Sequence, residues 1–409
     1  MPLDLVLRQG RLTGSEKQPV DIGVADGRIV DIAPHIVAQA PEQQLDGRLV
    51  IPGFVETHIH LDKSCILERC NCERGTLEEA IETVAAAKRS FTEADIHARA
   101  QRTLEKAIIQ GTTRMRTHVE VDPRVGLNGF HAVRALKRDY AWALDLQICV
   151  FPQEGLTNDP GTEELLVEAC EQGADVIGGC PYTDTDPAAQ TARIFDIARR
   201  FDLDIDFHLD FDLDPSWMHL EEVCRQTDAH RWGGRVAVGH VTKLSTIDHS
   251  RLREIGVRLA DAGVAVTVLP ATDLFLMGRE HHHHVPRGVA PAHRLLAHGV
   301  TCSLATNNVL NPFTPFGDCS LIRIANLYAN IAQLGRNADM HACFDMITTL
   351  PARLMNAARY GVAVGHAADL VVIDSRDPAM AVAELAQPLF GYKHGRRSFT
   401  RAAATLHKP

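Results

Sequence analysis

Gly53-Phe54-Val55-Glu56-Thr57-His58-Ile59-His60 reads as a short apolar strand that ends in two histidines. Residues two apart on a strand point the same way, so both imidazoles share one face. Seven segments of the same character follow: TTRMRTHV (112–119), LDLQICVF (144–151), ADVIGGC (174–180), LDIDFHLD (203–210), GRVAVGH (234–240), GVAVTVLP (263–270) and GVTCSLAT (299–306). Between them lie amphipathic stretches such as TLEEAIETVAAAKRSF (76–91), AAQTARIFDIARRF (188–201) and IDHSRLREIGVRLADAG (247–263). Eight strand–helix alternations over roughly 300 residues predict an α/β fold, a distorted (β/α)8 TIM barrel, in preference to a doubly wound sheet. No G-x-G-x-x-G follows a strand, so a dinucleotide site has no support.

The two ends of the chain differ from this middle. LDLVLRQGRL and PVDIGVADGRIVDIA are short strand-like pieces, broken at Ala25-Asp26-Gly27, a hairpin signal. The last residues return to that character with ADLVVID and a terminal strand around 397–403. We therefore expect a small β-sandwich domain built from residues 1–52 plus 361–409, and a catalytic barrel over 53–360.

Composition narrows the function. The 409 residues carry 42 Lys and Arg against 52 Asp and Glu, a net charge of −10, which argues against a nucleic-acid surface. No apolar run approaches the roughly 18 residues that span a bilayer, and the first residues lack a secretory pattern, so a cytoplasmic protein with no membrane partner is expected. The ten cysteines are scattered and read as buried thiols.

In a barrel of this kind chemistry collects at the C-terminal ends of the strands. The first predicted strand ends in His58 and His60, the second at His118, the fifth at His208 and the sixth at His240; the third runs into Gln153, and the eighth ends at Asn307-Asn308. A lone histidine at such a place is usually a hydrogen-bonded core residue, but five at strand ends are poorly accounted for that way. Imidazole nitrogens suit zinc, iron and similar ions, and an open site of this type acidifies water and polarises an electrophilic carbon. A bridging lysine at the end of the fourth strand would signal two ions. Gly178-Gly179-Cys180 has none, so one divalent metal ion, zinc or iron, is expected.

PGFVETHIHLDK (52–63), RTHVEVD (116–122), LQICVFPQEG (146–155), GADVIGG (173–179), Gly239-His240, MGR (277–279), NPFTPFGD (311–318) and GVAVGHAADLVVID (361–374) resemble the amidohydrolase superfamily, most closely its cytosine-deaminase-like branch. A triazine-ring aminohydrolase that removes N-isopropyl groups shares the HxHxDK opening. The resemblance covers nearly the whole chain. It implies His58, His60 and His208 as metal-binding imidazoles, and His240 as the residue that hydrogen-bonds the attacking water or the tetrahedral intermediate. It implies Gln153 as the carboxamide that reads a ring carbonyl and adjacent N–H. It also implies a homo-oligomer and a small heterocyclic substrate.

Two departures matter. The strand-8 ligand and general base of the branch is an aspartate, where this chain has Asn307, followed by Asn308 in place of a second acid. A carboxamide oxygen can coordinate an ion but cannot take a proton at neutral pH. With no carboxylate beside it, the ion keeps its full charge and should acidify water further. The branch's proton-shuttling glutamate is expected three residues after His208, where Phe211 stands, which argues against cytosine itself as substrate. Asp210, two residues after His208, is then a candidate proton carrier or substrate anchor. Lys63 could hold an anionic or carbonyl group, and His118 could orient a ligand from behind. The run His281–His284 reads as a solvated loop. The expected reaction is hydrolysis at an exocyclic C–N bond of a pyrimidine, triazine or pterin, with His240 or Asp210 passing a proton to the leaving nitrogen and Asn307 in the catalytic shell. Ring opening of a cyclic amide, and a catalytically impaired binding paralogue, are the alternatives.

Overall fold

The structure, a computed structural model, describes residues 2–14, 18–402 and 404–407. Its centre is an eight-stranded parallel sheet in consecutive order: β6 (Phe54–Ile59), β7 (Thr112–Glu120), β8 (Asp145–Phe151), β9 (Val176–Gly179), β10 (Asp204–Leu209), β11 (Val236–His240), β12 (Val264–Val268) and β13 (Cys302–Leu304). Each observed strand lies inside the segment read from sequence, save β7, which runs one residue further to Glu120. All of β6, β9, β11, β12 and β13 is buried, as expected where helices cover a parallel sheet from outside and side chains fill its interior. The eighth strand closes on the first beyond its last paired residue: Asn307 N–H donates to the His58 carbonyl at 2.8 Å, and His60 N–H donates to the Asn307 carbonyl at 2.9 Å. The (β/α)8 barrel is thus distorted at its seam.

The intervening helices carry local start and stop signals. Pro187–Phe201 begins with Asp186, whose carboxylate accepts from Ala189 N–H at 3.0 Å, and has proline at its first position. It turns Ile194, Phe195, Ile197 and Ala198 inward. His249–Ala262 is capped by Asp248 and stops at Gly263 in the left-handed region (φ 68°), which releases the chain directly into β12.

The chain ends form the β-sandwich. β1 (Leu5–Leu12), β2 (Val20–Ala25), β3 (Arg28–Ala33), β4 (Glu42–Gln44) and β5 (Leu49–Ile51) join β14 (Leu370–Ile373), β15 (Pro388–Lys393) and β16 (Arg396–Thr400), in the order β16-β15-β14-β5-β1-β2-β3 with β4 beside β1. Asp26 (φ 49°) and Gly27 (φ 72°) make the tight turn between β2 and β3. The last strand spans Arg396–Thr400; Ala403, at the end of the expected one, lies outside the described residues. Leu7, Ile22, Val24, Ile29, Val50, Leu370 and Val372 form this unit's own core. All ten cysteines are free thiols, and all but Cys65 and Cys72 are buried. Among the described residues, no helix is long and apolar enough to cross a membrane.

Candidate active site

Three imidazoles converge at the C-terminal end of the barrel. His208 Nε2 lies 3.0 Å from His58 Nε2 and 3.2 Å from His60 Nε2. Gly239 makes room for this, since a Cβ there would stand 3.2 Å from two atoms of the His58 ring. Burial, followed by neighbouring charge, pushes the pKa of all three histidines well below the ordinary value, so each ring is neutral at pH 7 and carries one N–H and one lone pair. Asn307 is tied to the same place by its two backbone bonds to β6, and its side-chain Oδ1 is buried with no hydrogen-bond partner.

This donor set fits a divalent cation. Hydrogen bonds among the Nε2 atoms leave the Nδ1 atom of each of the three rings buried without a partner. The two contacts of His208, at 3.0 and 3.2 Å, are near the ~3.4 Å edge of a tetrahedron whose ligands sit ~2.0–2.1 Å from the ion. An unpartnered buried carbonyl oxygen beside them is costly unless something positive meets it.

His240 ends β11 in the left-handed region (φ 70°), and a ring nitrogen of it lies within 4.8 Å of ring nitrogens of His58 and His208. Its Nδ1 is 2.6 Å from the carboxylate of Asp273, a fully buried residue on the short helix Pro270–Leu276. The second Asp273 oxygen accepts from Leu269 N–H at 3.2 Å. Burial raises the Asp273 pKa, against the opposing pull of His240. Phe211 lies across the His240 ring at 3.8 Å between centroids, so an apolar surface covers one face of that imidazole.

His118 stacks on His58 with centroids 3.7 Å apart. Its Nε2 stands 3.5 Å from Asp206, which also pairs with Arg116 at 2.8 Å. Both ring nitrogens of His118 lack a hydrogen bond, so it supports His58 by contact and does not orient it through a bond. Lys63 is buried and its ammonium donates to Glu120 at 2.7 Å and to Gln153 at 3.1 Å. An ammonium has donors only, so the Gln153 atom it meets is the amide oxygen. The Gln153 N–H group faces Cys180 Sγ at 3.5 Å. The charge of Lys63 and the carboxamide of Gln153 are therefore each committed to protein partners, and Phe313 lies 4.3 Å from the ammonium.

Behind Lys63 sits a second ammonium, Lys88, bonded to Glu120 (2.8 Å), Asp122 (2.5 Å) and Glu154 (2.6 Å). It follows the helix Leu77–Ala87, which packs Ala80 and Val84 with Met277, Phe211 and Phe313 into an apolar cover. His58, His60, His208, His240, Asn307 and Gln153 are all buried beneath the loops of this face.

Asp210 is placed otherwise than expected. Its two carboxylate oxygens accept from His219 N–H (2.9 Å) and Leu220 N–H (3.1 Å), so it caps the helix Leu220–His230, and burial lifts its pKa to about 6. Nothing in this arrangement offers its proton to the imidazoles. Asn308 Oδ1 accepts from Asn311 Nδ2 at 2.7 Å, and the run His281–His284 is exposed. Asp206, Arg116, Glu120, Lys88 and Asp273 are site neighbours that the sequence reading did not single out. Strand periodicity could have found two of them, since Asp206 lies two residues before His208 and Glu120 two after His118. Lys88 and Asp273 sit on helices and carry no such signal.

A closed parallel barrel with a cation-fitting cluster at its C-terminal end is the frame of a barrel enzyme. The amidohydrolase family profile matches residues 135–399. N-isopropylammelide isopropyl amidohydrolase of Pseudomonas sp. (strain ADP) is 28% identical over 409 residues, covering 96% of each chain. Pterin deaminase of Rhizobium rhizogenes is 30% identical over 366 residues, covering 87% of this chain and 82% of its own. The crystal structure of 5-methylcytosine deaminase from Klebsiella pneumoniae liganded with 5-fluorocytosine superposes with a TM-score of 0.94 at 29% identity, over 99% of both chains. The chain belongs to the amidohydrolase family, and is a hydrolytic enzyme of C–N bonds other than peptide bonds.

Proposed function

We propose that this enzyme removes ammonia or an amine from an exocyclic C–N bond of a small nitrogen heterocycle such as a pyrimidine, triazine or pterin. The observation that carries this reading is the approach of His208 Nε2 to 3.0 Å from His58 Nε2 and 3.2 Å from His60 Nε2, together with the buried, unpartnered amide oxygen of Asn307. His58, His60, His208 and Asn307 would hold one divalent ion, zinc or iron. When bound, that ion supplies Lewis acidity toward water and the ring carbon.

The chain's own residues do the rest. His240, with Nδ1 held by Asp273, turns its other nitrogen to the reacting centre, where it stabilises developing charge and carries a proton to the leaving nitrogen. Phe211 and Phe313 give apolar walls suited to a flat ring. Gln153 and Lys63 supply the polar edge, with the remaining amide lone pair and ammonium N–H as its free positions. The names of the relatives support the heterocycle class: isopropylammelide, pterin and 5-methylcytosine. We assign the barrel to residues 53–360 and the sandwich to 1–52 plus 361–409.

The test is a screen of aminated pyrimidines, triazines and pterins with protein reconstituted in turn with Zn²⁺, Fe²⁺ and Mn²⁺. Ammonia or amine release with an unbroken ring, read by mass spectrometry, is the expected outcome. A product that gains a carboxylate on ring opening, or no turnover with any ion, overturns it.

A further inference from the structure

A barrel site whose strand-end residue is an amide needs its proton acceptor elsewhere. The structure places a fully buried carboxylate within hydrogen-bond reach of His240, the imidazole that ends the sixth strand beside His58 and His208. Asp273 meets His240 Nδ1 at 2.6 Å, and three separate features fix the pair. Leu269 N–H occupies the other carboxylate oxygen, which stops the carboxyl from turning. Phe211 lies over the imidazole at 3.8 Å between centroids. The backbone at His240 and Val241 is held at φ 70° and 45°, a conformation rarely adopted by such residues unless the surroundings enforce it.

We propose that Asp273 is a positioning residue that fixes His240 in the tautomer with the proton on Nδ1, leaving Nε2 as an acceptor facing the imidazole trio. Asn307 cannot take a proton, so this arrangement moves the acceptor role from the eighth strand to the sixth, with its supporting carboxylate on the helix after the seventh. The catalytic consequence rests on the proposed hydrolysis, whereas the tautomer does not.

Replacement by asparagine is the informative change. Leu269 N–H requires an acceptor, so the carboxamide of the Asp273→Asn variant would turn its oxygen there and its N–H₂ toward His240 Nδ1. That forces the imidazole proton to Nε2, the wrong side. The same logic lowers turnover by about 10⁴ in the serine-protease triad when its aspartate becomes asparagine.

The measurement is ¹⁵N NMR of histidine-labelled, full-length, zinc-loaded protein, with a His240→Gln variant to assign the signal. Wild type should show protonated Nδ1 and unprotonated Nε2, and Asp273→Asn the reverse, with zinc content unchanged. On whichever heterocycle wild type turns over, Asp273→Asn should lower kcat by roughly 10³–10⁴ with little change in KM. Wild-type protein with its proton on Nε2 overturns the proposal even if Asp273→Asn does not fold, and so does a variant whose tautomer is unchanged. If the tautomer inverts as expected while no heterocycle is hydrolysed, the function reading fails and the positioning role stands.

Discussion

Two buried polar clusters lie within the same barrel mouth, and they are built on opposite terms. In the imidazole trio, the Nδ1 atoms of three neutral rings and the Oδ1 of Asn307 have no partner. In the knot around Lys88, the three ammonium N–H groups reach three carboxylates, and Glu120 takes a second ammonium from Lys63. The knot is complete as it stands, so its free energy is that of a scaffold: it pins the covering helix Leu77–Ala87 to β7 and to the loop after β8. The trio is incomplete, and burial without satisfaction is tolerated where a ligand supplies the missing partner. Unsatisfied polarity marks the reacting centre; satisfied polarity marks what holds it in shape.

Substitutions should separate the two. His208→Asn removes one of the three converging nitrogens. Bound ion, measured by elemental analysis, should fall from one per chain to none, and hydrolysis by about 10⁴-fold or more. The unfolding free energy of the metal-free protein should change by only about 1 kcal/mol, because the ring bonds to nothing outside the trio. Lys88→Met should do the reverse. It leaves Glu120, Asp122 and Glu154 buried without their shared cation, a loss of roughly 3–5 kcal/mol in urea unfolding, while the imidazole site still takes up its ion. If His208→Asn proves as destabilising as Lys88→Met, the distinction between the clusters collapses.

The sequence showed the trio far better than the knot, for a physical reason. His58, His60 and His208 stand at the ends of apolar strands, where alternation fixes which face a side chain takes and barrel topology fixes which end matters. The eight strands were legible by the same rule. Lys88 follows TVAAA at a helix end, where a lysine normally favours solvent and the C-terminal dipole, so local pattern misplaces it. Asp210 misled in the opposite sense. Its offset from His208 suggested a shared face, but a left-handed turn at φ 48° swings it under the next helix as a cap. Asp273 shows up only once β11 and the helix after β12 are brought together in space.

A smaller effect sharpens the view of the trio. Asn307→Asp would place a carboxylate beside the three imidazoles and complete the ordinary charge of such a centre. Chelator competition should then release the ion about tenfold or more slowly. Turnover should change by less than about tenfold, since the base is held elsewhere, on His240. A gain of several orders of magnitude at equal metal content would show the amide to be an impairment.

The knot makes the last and mildest prediction, through pH. Burial alone would raise the pKa of Glu120, but the Lys63 and Lys88 charges outweigh it and hold the carboxyl down to about 2, from an ordinary 4.5. A folded value below the unfolded one means that the unfolded chain binds the proton first as acid is added. The stabilising contribution is therefore full above about pH 4.5 and drains away as pH falls toward 2. Urea midpoints recorded below about pH 4.5, where Glu154, raised to about 7 by burial and by Glu120, is already protonated in both states, should drop more steeply for wild type than for Glu120→Gln, which has no such proton to take up. Parallel curves would mean that Lys63 and Lys88 do not act on Glu120 as a fixed charge, and the knot would then lose its standing as the satisfied half of the comparison.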